Sequence, residues 1–216
     1  MNHWLLFLIS IMLLCSTLTV IQTHITTVIK LLIAQNAFLT GYLLIKAIQG
    51  PSAALWVSFA ITAIVKVLIL PWLLWKLTRF LQLSGRIEPI INKPTLLIFV
   101  TILVLFALVL GHAMLNALPQ LSVSGFSLSL ANAFIALLAI IVRRKTVTQI
   151  IGLLLLENSI FILAAALATG FPWLIELGMS FDVLMGVMIF MLFLIRIQHE
   201  YGSFQVHHVE KLKERV

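Results

Sequence analysis

A chain of 216 residues that is 62% hydrophobic and 10% charged, with a mean hydropathy of +1.17, holds more apolar surface than a water-soluble core can enclose. The surplus must face lipid. At roughly 20 apolar residues per crossing, this length admits about eight spans with short loops and no second, soluble domain, so the expected fold class is an all-α integral membrane protein. The single cysteine, Cys15, excludes an internal disulfide and a cysteine-held zinc or iron–sulfur centre, and no cofactor is expected.

Long apolar runs give seven expected spans, at 4–21, 25–48, 53–75, 95–117, 126–142, 147–167 and 173–195. Residues 1–8 lack a basic n-region and no small-residue cleavage site follows, so the first helix is expected to be retained. Gly50-Pro51, Ser84-Gly85 with Pro89 and Pro94, Pro119 with Ser124-Gly125, and Gly170-Phe171-Pro172 punctuate the runs. The basic residues fall on alternate loops. Lys76, Arg79, Arg86 and Lys93 belong to the third loop, Arg143, Arg144 and Lys145 to the fifth, and Arg196, Lys211, Lys213 and Arg215 follow the last span. Basic flanks stay on the cytoplasmic side, which puts the N-terminus outside and the C-terminus inside an inner (plasma) membrane crossed many times. The net charge of +7 is therefore a topology signal, and nucleic acid is not an expected partner.

Segment 25–36 (ITTVIKLLIAQN) echoes segment 147–158 (VTQIIGLLLLEN), placing Gln35-Asn36 over Glu157-Asn158. Either spans one to three and five to seven are parallel copies joined by span four, or two apolar strings match by chance.

Charges deep in a span are costly and usually face protein or water. By helical rise, Glu157 lies ~18 Å beyond Lys145, Asp182 ~21 Å before Arg196, and Lys66 ~15 Å before Lys76. None of the three reaches water easily. Two readings stand: these groups relay protons along a polar path, or Lys66 and one carboxylate form an ion pair that fixes packing. Pro71 has no N–H to offer the Val67 carbonyl, which predicts either a local opening beside Lys66 or a plain proline kink.

Other polar residues have simpler accounts. Glu176 falls in the first turn of the last span, where the helix dipole favours an acid. Lys30 and Lys46 are close enough to span ends to snorkel, Asn36 and Asn132 suit helix–helix hydrogen bonds, and His112 is near an outer helix end. His199, His207 and His208 lie dispersed in a polar tail, with no metal site expected. That tail spaces Val206, Val209 and Leu212 at helical intervals, fitting a short amphipathic helix or a solvated end.

The stretch Phe181-Asp182-Val183-Leu184-Met185-Gly186, with the basic loop leading into Ile151-Gly152 and an acid beside Asn158, resembles the K subunit of respiratory complex I and the C subunit of multisubunit sodium/proton antiporters. Over nearly the whole chain, Ile64-Val65-Lys66-Val67-Leu68 with Pro71, Gln149-Ile150-Ile151-Gly152 with Glu157-Asn158, and Glu176-Leu177-Gly178 with Asp182 resemble the membrane component E of hydrogenase-four-type (formate hydrogenlyase) complexes. Glu157 lies about one helical turn beyond the K-subunit acid relative to Gly152, and Asp182 replaces a glutamate.

The resemblance implies a K-type three-helix unit at 126–197, preceded by an N-terminal three-helix unit with its loop at 1–94 and a connector at 95–125, and followed by a tail at 198–216. It implies a non-redox subunit, not an enzyme alone, of an oxidoreductase complex, seated between antiporter-like and membrane-anchor subunits. Lys66, Glu157 and Asp182 would be proton-path residues, with Glu176, Asn158 and Gln35 as secondary candidates. A secondary ion transporter and a structural scaffold are the alternatives.

Overall fold

The computed structural model describes residues 3–50, 53–80, 89–114, 123–167 and Gly186. The expected span 173–195, with Glu176 and Asp182, and the tail 198–216 lie outside the described residues, apart from the helical Gly186. Chain contacts separate two compact units, Met1–Phe181 and Asp182–Val216, and the helices that follow belong to the first.

In chain order these are α1 (His3–Ile21), α2 (Ile25–Gln49), α3 (Ala53–Ile61), a π-helical segment (Thr62–Ile69), α4 (Leu70–Phe80), α5 (Lys93–Met114), α6 (Val123–Val142) and α7 (Thr146–Leu167). Six stretches among the described residues are long and apolar enough to cross a membrane; α3, the π segment and α4 together supply one of them, Leu55–Arg79. This third span runs past the expected end at Trp75. In this added turn Lys76 and Arg79 lie back over the rings of Trp72 and Trp75, one turn earlier.

The bundle centres on α6, which packs against α1, α5 and α7, while α2 packs against α1, α7 and the third span. Small residues make this possible. Gly125, Ser127, Ser129, Ala131, Ala133, Ala136 and Ala139 of α6 are buried and let neighbouring backbones approach closely. One apolar cluster joins Ile9 and Met12 of α1, Leu39 and Tyr42 of α2, and Phe161 of α7; another joins Val20, Leu96, Val100, Ile135 and Val142. By contrast, Ile98, Ile102, Leu105 and Val109 of α5 are exposed. They recur at helical spacing on a face turned away from the bundle, as a lipid-facing stripe does.

Gly152 marks the tightest approach of α7 to α6 among its glycine contacts. A Cβ added there would lie 2.8 Å from Ile140 Cγ1 and 3.1 Å from the Ile140 backbone nitrogen. The backbone atom cannot swing aside, so Gly152→Ala is expected to destabilise the bundle by about 1–3 kcal/mol, the usual range for overpacking. A thermal unfolding midpoint in detergent that matches the wild type would contradict this.

Among the described residues, the end of the third loop and the start of the fifth meet at one end of the bundle. Arg143, directly after α6, is buried and donates through Nη2 to the carbonyls of Thr19 (2.6 Å), Val20 (3.1 Å) and Gln22 (2.6 Å). These are carbonyls that the end of α1 leaves without helical partners. Burial pushes the guanidinium pKa down from its ordinary value. The Ile90 N–H donates to the Val142 carbonyl at 3.1 Å, tying the third loop to the fifth. Arg143 is thus a helix cap as well as a basic flank.

Candidate functional site

The π segment is where local chain chemistry begins to build a site. In a π register each N–H serves the carbonyl five residues back, as the Leu70 N–H does for Val65. The next donor in that register is Pro71, which has none. Continued by one residue, that register would have aimed its N–H at the Lys66 carbonyl, next to the Val67 carbonyl that an α register would serve. Asn36 of α2 reaches across instead, its Nδ2 donating to the Lys66 carbonyl at 2.6 Å.

The Lys66 side chain crosses to α7. Its ammonium pairs with Glu157 Oε1 at 2.9 Å, donates to Asn158 Oδ1 at 3.2 Å, and lies 5.8 Å from the centre of the Phe161 ring. Asn158 Nδ2 then donates to Asn36 Oδ1 at 2.6 Å. The circuit closes on itself: Lys66 ammonium to Asn158, Asn158 to Asn36, Asn36 back to the Lys66 carbonyl. Its polarity is fixed by chemistry. An ammonium can only donate, so Asn158 must turn its oxygen to Lys66 and its nitrogen to Asn36; Asn36 then has its own nitrogen left for a carbonyl, which can only accept. The residues are withdrawn from solvent, with Lys66 at 2%, Asn36 at 2%, Asn158 at 1% and Glu157 at 8% exposure.

Glu157 is the incomplete member. Its Oε1 contacts the ammonium without an aligned hydrogen bond, and its Oε2 has no hydrogen-bond partner among the described residues. A buried carboxylate oxygen in that state is an open acceptor for water or a proton. It is the sole described carboxylate, because the remaining acids are Glu88, Glu176, Asp182, Glu200, Glu210 and Glu214.

Gln35, the neighbour of Asn36, turns toward α1, where Ser16 Oγ donates to its Oε1 at 3.4 Å; its Nε2 has no hydrogen-bond partner among the described residues. Gln35 therefore lies beside the Lys66 circuit in sequence without entering it. Asn132 departs from the helix-linking role expected of it. It is fully buried in α6, yet neither amide atom finds a hydrogen-bond partner among the described residues. Asn36, expected only to join helices, is instead integral to the charge site. The one signal for that was the sequence echo, whose two aligned asparagines, Asn36 and Asn158, are hydrogen-bonded to each other. Phe161 carried no such signal, since an aromatic residue in an apolar run looks the same whether it meets lipid or a cation. Lys30 and His112 are exposed, as expected near helix ends.

Comparison with known proteins sets this site in the context of distant relatives. No protein-family model and no solved structure matches the chain. It is 29% identical over 203 residues to the uncharacterized protein Rv0085 of Mycobacterium tuberculosis, covering 93% of this chain and 92% of that one. It is 30% identical over 87 residues to Hydrogenase-4 component E of Escherichia coli K12, a stretch covering 40% of each chain, and the same figures hold for the protein of that name in Shigella flexneri. The likeness to component E is thus partial and supports a distant relationship, narrower than the nearly full-length resemblance drawn from the motifs.

Proposed function

We propose that the chain is a non-redox membrane subunit of an energy-converting hydrogenase or complex-I-like assembly, in which Lys66, Glu157 and Asp182 form part of a proton or sodium path. The observation that carries the reading is the buried Lys66–Glu157 pair at 2.9 Å, with Glu157 Oε2 lacking a hydrogen-bond partner among the described residues. Intramembrane charges are expensive and seldom idle. A proton accepted at Oε2 neutralises Glu157, removes its attraction for the ammonium, and leaves Lys66 held by Asn158 and the Phe161 ring. The pair can then open and close with the passage of a proton. The partial likeness to Hydrogenase-4 component E supports membership of a multisubunit membrane complex.

In this reading the basic end of the bundle faces the cytoplasm and the membrane is the inner membrane. The chain links antiporter-like subunits to the hydrogenase module, and residues 126–197 act as the K-type unit. Electrons travel through partner subunits. The closed circuit among Lys66, Asn158 and Asn36 would also suit a scaffold; the Glu157 oxygen without a hydrogen-bond partner among the described residues favours the path.

The test is purification of the tagged chain from its native membrane in gentle detergent, followed by mass spectrometry of what accompanies it. Antiporter-like and hydrogenase-like subunits are the expected companions. Recovery of the chain alone and monodisperse would overturn the assembly and favour a self-sufficient transporter.

A further inference from the structure

At the basic end of the bundle, α2 and α4 enclose a groove of about 540 Å³ lined by Thr26, Lys30 and Ile33 on one side and Pro71, Trp72 and Trp75 on the other. Its volume far exceeds the ~30 Å³ that a water occupies and falls in the range of sites for organic molecules. The groove changes character along its length. Thr26, Lys30 and Trp75 lie nearer the helix ends, while Ile33, Pro71 and Trp72 lie deeper and offer apolar surface.

Two further cations flank it. Lys76 Nζ is 5.2 Å from the centre of the Trp72 ring, and the Arg79 guanidinium carbon is 3.5 Å from that of Trp75. Lys30, Lys76 and Arg79 are all exposed, as are Trp72 and Trp75 at 59% and 46%. Neither α2 nor the third span contains an Asp or Glu, and the sole described carboxylate, Glu157, is engaged with Lys66. Among the described residues, Lys30 in the lining and Lys76 and Arg79 over two of its rings thus bring three cations without a counter-charge to one apolar slot, beside tryptophans of the kind enriched near membrane surfaces. Basic pockets of this kind between membrane helices suit lipid headgroups. A free phosphate would answer the charge and leave the apolar slot unfilled.

We propose that this groove is a specific site for an anionic phospholipid, with its phosphate held by Lys30 and Arg79 and an acyl chain lying along Ile33, Pro71 and Trp72. The bound chain rests on Pro71, which has no N–H to continue the π register, so the lipid supports the π segment from outside.

The experiment uses the full chain, with any subunits that purify with it, in nanodiscs. Trp4, Trp56 and Trp173 are replaced by Phe, so that fluorescence reports Trp72 and Trp75. Brominated phosphatidylglycerol should quench these at lower mole fraction than brominated phosphatidylcholine with the same acyl chains. Lys30→Gln and Arg79→Gln should each weaken the preference about fivefold, from about 1 kcal/mol per basic residue, and Lys30→Arg should retain it. Headgroup preference in the chain with all cations intact tests the site even if a charge variant fails to fold. Equal quenching by the two lipids, shielding of both tryptophans from either lipid as under a partner helix, or loss of the preference in inorganic phosphate would each overturn the proposal.

Discussion

Lys66→Met alone is expected to destabilise the chain by about 3–5 kcal/mol, whereas Lys66→Met combined with Glu157→Met should recover most of that loss. The single change leaves the Glu157 carboxylate buried without the ammonium that pairs with it. The double change removes both charges and replaces them with flexible apolar side chains of similar length, ending the desolvation cost of each. Stability and function should then part company. If the pair is a proton path, the double variant folds, assembles and unfolds near the wild-type midpoint yet translocates no ions in reconstituted vesicles. Ion movement at the wild-type rate in a stably assembled double variant would reduce the pair to a packing device. A double variant as unstable as Lys66→Met would show that the ion pair contributes net stability beyond what its apolar replacement supplies. Glu157→Gln refines the test, because it preserves size and removes the titrating group.

Much of this site is legible in the sequence because the rules of the bilayer are severe. A lysine about ten residues from the nearest basic flank, and a glutamate about twelve residues from another, must lie deep in their spans if both runs are helical. Such depth follows without knowing which spans touch. What it cannot supply is pairing between spans. Nothing local to Lys66 says that its partner is Glu157 rather than an acid in the last span, since depth is shared and lateral position is not. The π segment was hidden for a different reason. Pro71 forecasts a missing donor, but the carbonyl it would have served depends on the winding of the preceding turn, and the Asn36 amide that reaches the Lys66 carbonyl comes from α2. Gly152 illustrates the reverse case. Its place in a recognisable motif was visible at once, and its cause, the backbone of Ile140 at 3.1 Å from where a Cβ would sit, required the packed helices. Arg143 likewise read as a topology signal, and only the end of α1 reveals that its guanidinium is spent on carbonyls.

The circuit makes a second prediction that isolates the backbone. Asn36→Leu removes the donor to the Lys66 carbonyl and the acceptor for Asn158 Nδ2, leaving two buried polar groups unserved. At about 1–3 kcal/mol for each such group, the variant should lose about 2–6 kcal/mol in an unfolding titration. Pro71→Ala offers a specific remedy. It restores an N–H at position 71, directly after the π bond from Leu70 to Val65, where continuing that register aims it at the Lys66 carbonyl, the group that Asn36→Leu orphans. The combination should therefore be more stable than Asn36→Leu alone by about 1 kcal/mol, the usual net worth of a hydrogen bond. In the background that keeps Asn36, Pro71→Ala has no orphan to rescue, so the two substitutions should be strongly non-additive. Additivity would mean that the vacancy left by the proline and the bond made by Asn36 are independent features. Non-additivity of the expected sign would tie the proline and Asn36 into one element with Lys66, whose carbonyl accepts from Asn36 and whose ammonium donates to Asn158.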